Sequence, residues 1–429
     1  MGVILKAQPQ SLHVLVVGGG GREHALAWAC RRSPLVARVT CSPGNAGTLQ
    51  VAENRPLPAT DAPALVELAR AEAVDLVILG PDAAVEAGVG DALREAEIPC
   101  FGPKREAGRL ESSKVFAKQV MHRAGVVTPE FAVFDDPLRA LEHLRRRGSP
   151  VVVKADGLAL GKGAFVCATE DEAEAAIDRL LVRRELGSAG ARVLIEDCLE
   201  GEEASFFAIC DGASAVMLPP ARDYKQAQDG DRGANTGGMG SFAPTPGSGW
   251  AELNQTVRQE VVEPTLAEMV RLGTPYQGCL YVGGMLVAGK VHVLEFNARF
   301  GDPETEVQMP LLADPVPLLW QSAVGRLEGP DPEALPGACV GVVAVREPYP
   351  DAVAAGGQVV GIEAAEEAGC LVFQMGTRSG ENGAVEVSGG RVLICTAVAG
   401  DRTAARERAY SGLAKISFAG MRYRQDIGA

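Results

Sequence analysis

Four consecutive glycines, Gly18, Gly19, Gly20 and Gly21, separate the apolar run 13–17 from a helical pattern over about 22–32. A strand that ends in glycines and opens a helix commits the chain to a strand–helix unit. Further short runs at 38–41, 75–79 and 99–101 are apolar on both faces, as strands buried in a parallel sheet must be. The first hundred residues therefore predict an open, doubly wound α/β sheet. Ligands bind such sheets at the carboxyl ends of the strands, where the glycine turn and the loops 42–48 and 80–82 fall. Backbone amides at a helix start suit a phosphate; the competing reading is a tight turn whose glycines serve packing. The dinucleotide fingerprint needs a third glycine where Glu23 stands and an acid closing the second strand, which instead ends Thr40-Cys41-Ser42-Pro43. The turn is not that of a dehydrogenase.

From about Ser112 the pattern changes. A helix at 112–124 leads to strands at 151–154, 164–168, 192–197 and 204–211 that pair through turns, which predicts an α+β domain. A polar, glycine-rich loop is expected over 222–247, and structureless loops of that length are usually functional. A helix at 251–272 and two strands, 278–287 and 290–296, follow. Pro, Gly and acid around 327–336 read as a linker, beyond which strands at 339–346 and 391–399 and a final helix form a small α+β domain. The expected division is a loose leader 1–12 and domains 13–111, 112–333 and 334–429.

Charge narrows the function. The 429 residues carry a net charge of −14, and the densest basic run, Arg145, Arg146 and Arg147, reads as a solvated helix end. A nucleic-acid partner is not expected. An acidic protein that handles nucleotides must gather positive charge locally, which draws attention to lysines beside glycines. The ten cysteines contain no C-x-x-C and read as buried free thiols of a reducing compartment. No signal peptide is expected, and no apolar run approaches a membrane span of about 18 residues. The expected location is the cytoplasm.

Two stretches carry chemistry. Lys154-Ala155-Asp156-Gly157-Leu158-Ala159-Leu160-Gly161-Lys162-Gly163 puts a lysine at a strand end before a glycine loop. Its spacing is not that of a P-loop, but such a loop can fold over phosphates and exclude water; the plain alternative is a glycine-rich hairpin. In Glu295-Phe296-Asn297-Ala298-Arg299, alternation puts residues 295, 297 and 299 on one face of a strand. A carboxylate and an amide oxygen side by side are hard ligands suited to Mg²⁺ bridging phosphates, and Arg299 can neutralise an anionic substrate. The alternative is a half-buried strand with a polar outer face.

Together with Arg22-Glu23-His24-Ala25, Pro43-Gly44-Asn45-Ala46-Gly47-Thr48, Gly201-Glu202-Glu203-Ala204-Ser205, Asn235-Thr236-Gly237-Gly238-Met239-Gly240 and Phe300-Gly301-Asp302-Pro303-Glu304-Thr305, these stretches resemble the phosphoribosylamine–glycine ligases (glycinamide ribonucleotide synthetases) of the ATP-grasp superfamily. The likeness runs from about His13 to Gly428. It implies a pre-ATP-grasp N domain, an ATP-grasp domain with a mobile lid at about 126–198, and a C-terminal domain. It also implies ligation of glycine to 5-phosphoribosylamine through a glycyl phosphate, with ATP and Mg²⁺, or Mn²⁺ in its place, in a monomer. By the same resemblance, Lys114 and Lys154 contact phosphates, and Gly161, Lys162 and Gly163 belong to the lid loop over the nucleotide. Glu196, Asp197, Cys198 and Leu199 form the adenine hinge, and Glu203 holds the ribose. Glu295 and Asn297 hold the metal. Arg299, with Lys154, is catalytic and orients glycine. Gly18, Gly19, Gly20, Gly21 and Asn45 meet the ribosylamine phosphate, and Asp223, Lys225, Asn235, Gly238, Asp302 and Thr305 face substrate.

The chain departs from the family pattern at Gly80-Pro81-Asp82-Ala83-Ala84, at Ser112, and at Cys198, where an aromatic is common. The strand 278–287 offers no acid as a third metal ligand. His24 reads equally as a helix-packing residue or as part of the substrate rim. Two rival readings are another ATP-grasp carboxylate–amine ligase and a nucleotide-binding regulator without turnover.

Overall fold

The computed structural model describes residues 11–159, 163–243 and 249–429. Its N-terminal part is a five-stranded parallel sheet. Glu53–Asn54, Val36–Pro43, Leu12–Gly18, Leu76–Leu79 and Cys100–Phe101 lie side by side in that order. The sheet runs outward in both directions from Leu12–Gly18, which makes it doubly wound, as expected. Every residue of Leu12–Gly18 is buried, which explains why the strand is apolar on both faces. The first strand takes in Leu12, which the sequence reading places in the leader; residues 1–10 lie outside the described residues. The helix Gly21–Arg32 follows, its start closed by Glu23, whose carboxylate accepts from Gly20 N–H at 2.6 Å.

The middle of the chain builds two antiparallel sheets. One orders Phe131–Phe134, Val193–Asp197, Val151–Ala155 and Ala164–Cys167. With the helices Pro137–Arg147 and Glu170–Ile177 it closes a small core of its own around Leu144, Val151, Val153, Ile177, Leu180 and Ile195. The other orders Ala215–Met217, Glu202–Asp211, Gln277–Val287 and Lys290–Asn297. Between these sheets the helix Lys114–Ala124 is capped by Ser113 and stopped by Gly125 at φ +72°.

The stretch 222–247 departs from expectation. Its described part is not structureless: Arg222–Asp223, Gln226–Gln228, Arg232–Asn235 and Gly240–Ala243 are strands. Gly240–Ala243 pairs with Ala338–Arg346, extending a sheet completed by Arg391–Ala399 and Leu371–Gln374. The hairpin formed by Gln226–Gln228 and Arg232–Asn235 is pinned from the chain's end. The buried Arg424 donates to Gln226 O and to the carboxylates of Asp231 and Asp426. The segment thus ties the middle of the chain to the C-terminal portion. Among the described residues no helix is long and apolar enough to cross a membrane.

Candidate active site

The strand Lys290–Asn297 lies at the edge of its sheet, with Gly283 opposite Glu295 and Tyr281 opposite Asn297. Its alternation has the expected sense: Phe296 and Ala298 are buried in the core, while Glu295, Asn297 and Arg299 are half-buried on the other side. Burial works against the charge on Glu295. Lys225, Lys114, Lys154 and Arg299 outweigh it and bring the carboxyl down to about 2. Four cations therefore favour the charge on one carboxylate, in a chain that is acidic overall. The Lys225 ammonium lies 4.0 Å from Glu295 and 3.5 Å from Glu203.

Arg299 is held on three sides. It donates to Phe300 O at 3.0 Å and to Asn297 Oδ1 at 3.3 Å, and pairs with Glu111 Oε1 at 3.0 Å. The other oxygen of Glu111 accepts from Ala298 N–H at 2.8 Å, so one buried carboxylate fixes both the guanidinium and the backbone beside it. Glu111 sits on the short helix Arg109–Ser112 and was not singled out by sequence. Nothing in its local pattern signals a contact with a residue so far along the chain.

Asp156, in the lysine loop, has a role that the sequence pattern does not signal. Its Oδ1 accepts from Ser113 Oγ and from Val115 N–H, both at 2.9 Å, and its backbone carbonyl accepts from Lys114 N–H at 3.0 Å. Lys114 and Lys154, on separate elements, are thereby joined through one aspartate two residues beyond Lys154. Gly157 lets that turn close, since a Cβ there would lie 2.7 Å from the backbone of Ala189. Gly163 is packed equally tightly, against Ala159. Gly161 and Lys162 lie outside the described residues. Lys154 pairs with the buried Glu196 at 2.9 Å and donates to Leu294 O at 3.2 Å, which links the first expected hinge residue to the strand Lys290–Asn297. Asp197 pairs with Arg147, and Cys198 and Leu199 are half-buried beyond it.

The remaining expected substrate residues divide into two groups. Asp223 is raised well above the usual carboxylate range, first by burial and then by Glu304 beside it. Gly238, at φ +107°, packs against it: a Cβ would lie 2.7 Å from Asp223 Oδ1 and 2.4 Å from Pro303. Asp302 pairs at 2.8 Å with Arg391, which also donates to Gly237 O and so brings the C-terminal sheet to the site. Other groups are already spent on protein partners. Asn45 Nδ2 donates to Gly19 O and Gln374 O, and its Oδ1 accepts from Gly47 and Thr48 N–H. Thr305 Oγ1 donates to Gly301 O, and Asn235 Oδ1 accepts from Gln226. Gly18 and Gly19 are tightly packed as well, a Cβ at Gly19 falling 2.5 Å from Gly44 O. The packing role of this turn is therefore real, whatever it binds. His24 resolves the same way: its Nδ1 accepts from Gln374 N–H at 2.9 Å, and its ring meets Phe373 edge-on. It is a packing residue between the first helix and the C-terminal sheet.

Among the described residues no group of three or more His, Cys, Asp or Glu could hold a metal. Glu295 and Asn297 offer two hard oxygens, and phosphate oxygens of a nucleotide complete such a set. The low pKa of Glu295 keeps it an anionic ligand throughout the physiological range. The donor set fits a hard divalent cation shared with phosphates.

Comparison with known proteins places this geometry. The sequence matches the phosphoribosylglycinamide synthetase N domain over 12–111, the ATP-grasp (A) domain over 112–305 and the C domain over 339–429. It is 45% identical over 421 residues to the phosphoribosylamine–glycine ligase of Caulobacter vibrioides, covering 98% of each chain. The crystal structure of phosphoribosylamine–glycine ligase from Thermotoga maritima superposes with a TM-score of 0.84 at 33% identity, over 97% of this chain and 100% of that one. The biotin carboxylase domain of 2-oxoglutarate carboxylase from Hydrogenobacter thermophilus shares the fold, with a TM-score of 0.71 at 17% identity over 96% of this chain and 91% of that one.

Proposed function

Because the chain belongs to the phosphoribosylamine–glycine ligase family, we propose that its bond-forming step runs through a glycyl phosphate made and consumed beside the strand Lys290–Asn297. The chain is a carbon–nitrogen ligase of purine biosynthesis that joins glycine to phosphoribosylamine, and its ATP-grasp fold binds ATP with a divalent metal. In the proposed route a glycine carboxylate oxygen attacks the γ-phosphorus, and the bond to the β-phosphate oxygen breaks to release ADP. The ribosylamine nitrogen then attacks the acyl carbon. Inorganic phosphate leaves with the C–O electron pair, and the nitrogen gives up a proton.

Such phosphoryl transfer needs positioning and charge neutralisation more than a protein nucleophile. Lys114 and Lys154 neutralise the phosphates. Arg299, fixed by Glu111, orients the glycine carboxylate and steadies the acyl phosphate. Glu295 and Asn297 would hold Mg²⁺, or Mn²⁺ in its place, which would supply positive charge to neutralise the phosphates. Glu196, Asp197, Cys198 and Leu199 line the adenine edge, and Glu203 meets the ribose. Gly161, Lys162 and Gly163 belong to the loop that covers the triphosphate. Asp223, Lys225, Gly238 and Asp302 face the substrates. Gly18, Gly19, Gly20 and Gly21 offer the ribosylamine phosphate a helix start, while Asn45, Asn235 and Thr305 act by ordering the loops around it. The domain division at 111 and 333, a lid over 126–198, a monomeric state and a cytoplasmic location complete the proposal.

The observation that supports this reading best is Arg299 held beside Asn297 by the buried Glu111, with the Lys225 ammonium 4.0 Å from Glu295. The test uses glycine carrying ¹⁸O in its carboxylate. A glycyl phosphate hands one ¹⁸O to the inorganic phosphate released with each turnover. Phosphate free of ¹⁸O would overturn the intermediate, and ADP release indifferent to glycine would overturn the site.

A further inference from the structure

Lys118 is almost completely buried yet forms no part of the roles above. It stands one helical turn after Lys114 on Lys114–Ala124, facing the interior. Its ammonium lies 3.3 Å from Glu196 Oε1 and donates to Thr128 Oγ1, whose hydroxyl in turn donates to Val293 O at 2.6 Å. The ring of Phe131 lies 5.7 Å away. On the other side of the same carboxylate, Lys154 approaches Glu196 Oε2 at 2.9 Å. One buried acid is thus shared by two buried lysines, one on each oxygen.

The arrangement is asymmetric in what each lysine can do. Lys118 is enclosed by Thr128, Phe131 and Glu196, whereas Lys154 stands at the mouth of the loop that follows its strand. A buried carboxylate cannot be left without a counter-ion. If Lys154 were the sole partner of Glu196, drawing it toward a phosphate would strand that charge. With Lys118 in place, Glu196 keeps a cation when Lys154 moves. Burial brings Lys118 down to about 8, against the pull of Glu196, so it remains mostly charged at neutral pH.

We propose that Lys118 is a positioning residue for the nucleotide site: the resident counter-ion of Glu196, which frees Lys154 to leave that carboxylate for the phosphates of ATP. The inference rests on the nucleotide site proposed above, and the experiment separates the two. Binding of ADP with Mg²⁺ is measured by calorimetry for the wild-type chain, Lys118→Met, Glu196→Gln and the double variant, alongside KM for ATP and kcat. Lys118→Met is expected to weaken ADP binding about tenfold or more and to raise KM for ATP far more than it lowers kcat. In the Glu196→Gln background no anion awaits a counter-ion, so the same substitution is expected to change binding less than twofold.

Should Lys118→Met fail to fold while the double variant folds and binds, the counter-ion role is supported, because removing both charges restores the chain. An equal penalty in both backgrounds, wild-type binding by Lys118→Met, or failure of both variants to fold would overturn it. A wild-type chain that binds no nucleotide would refute the ATP site itself, and this inference with it.

Discussion

His24 gives the structure a measurable acid sensitivity. Its ring is 3% exposed, its Nδ1 accepts the Gln374 N–H, and a Cβ on Gly47 would sit 2.5 Å from it. A proton on Nδ1 would face a donor with no room to turn away. Burial accordingly lowers its pKa from 6.5 to about 3. Above pH 6.5 neither the folded nor the unfolded chain carries this proton, and the group contributes nothing to pH dependence. Below it the unfolded chain binds a proton that the folded chain refuses, so stability falls with pH until the folded pKa is reached. With an unfolded value of 6.5, the loss from this one residue is about 1.4 kcal/mol at pH 5.5 and about 2.7 kcal/mol at pH 4.5. His24→Asn keeps an acceptor near the Nδ1 position and removes the titration. Urea unfolding of both chains at pH 7.5 and pH 5.5 isolates the term, since every other titrating group cancels in the comparison. The wild-type chain should lose about 1.4 kcal/mol more than the variant over that interval. Equal losses would mean that His24 is not buried as a neutral ring, and the contact between the first helix and the C-terminal sheet would have to be redrawn.

The other predictions concern the site and its frame. Arg299→Ala should lower kcat by about 10²–10³ with little change in KM for ATP, measured by coupled ADP release; an equal loss in both would make the residue structural. Glu111→Gln should show the same split at about tenfold, because it leaves Arg299 in place but unfixed. Glu295→Gln should raise the half-saturating Mg²⁺ concentration about tenfold or more in a metal titration, and an unchanged titration would remove it from the metal site. Arg424→Met should cost about 1–2 kcal/mol, chiefly through the lost hydrogen bond to Gln226 O, because Asp231 and Asp426 are open enough to solvent to be screened, read as a lowered thermal midpoint.

Local patterns carried the first sheet and the strand Lys290–Asn297 because both are written in nearest neighbours. Leu12–Gly18 is apolar on both faces because it is covered on both faces, and Glu295, Asn297 and Arg299 alternate because a strand alternates. The strands within 222–243 were invisible for the opposite reason. Their residues are polar and glycine-rich, and Gly240–Ala243 becomes a strand only by pairing with Ala338–Arg346, far along the chain. Glu111, Lys118 and Asp156 were missed on the same ground. Glu111 and Lys118 are defined by the charge each meets and Asp156 by the helix start it holds, and those partners lie on other elements. Asn45 shows the limit of motif reasoning: its loop was legible, but a motif does not reveal that both ends of the amide are already bonded within the protein.

Paired carboxylates explain how an acidic chain maintains a cationic site. An empty pocket lined by bare lysines and arginines would repel itself. Here the cations rest on carboxylates: Lys154 on Glu196, Lys225 between Glu203 and Glu295, Arg299 on Glu111. The pairs differ in depth. Glu111 and Glu196 are buried and cannot be left alone, whereas Glu203 and Glu295 are partly open to solvent and to ligands. A strongly anionic ligand can therefore draw Lys225 and Lys154 toward itself, the latter because Lys118 stays with Glu196. Among the described residues no second cation forms an ion pair with Glu111, so in the proposed function Arg299 holds its place. The proposed function thus uses two kinds of cation, those that follow the phosphates and one that stays fixed. A reaction that moves a phosphoryl group onto a carboxylate requires a fixed reference of this kind, so that the carboxylate is in line when the phosphorus arrives.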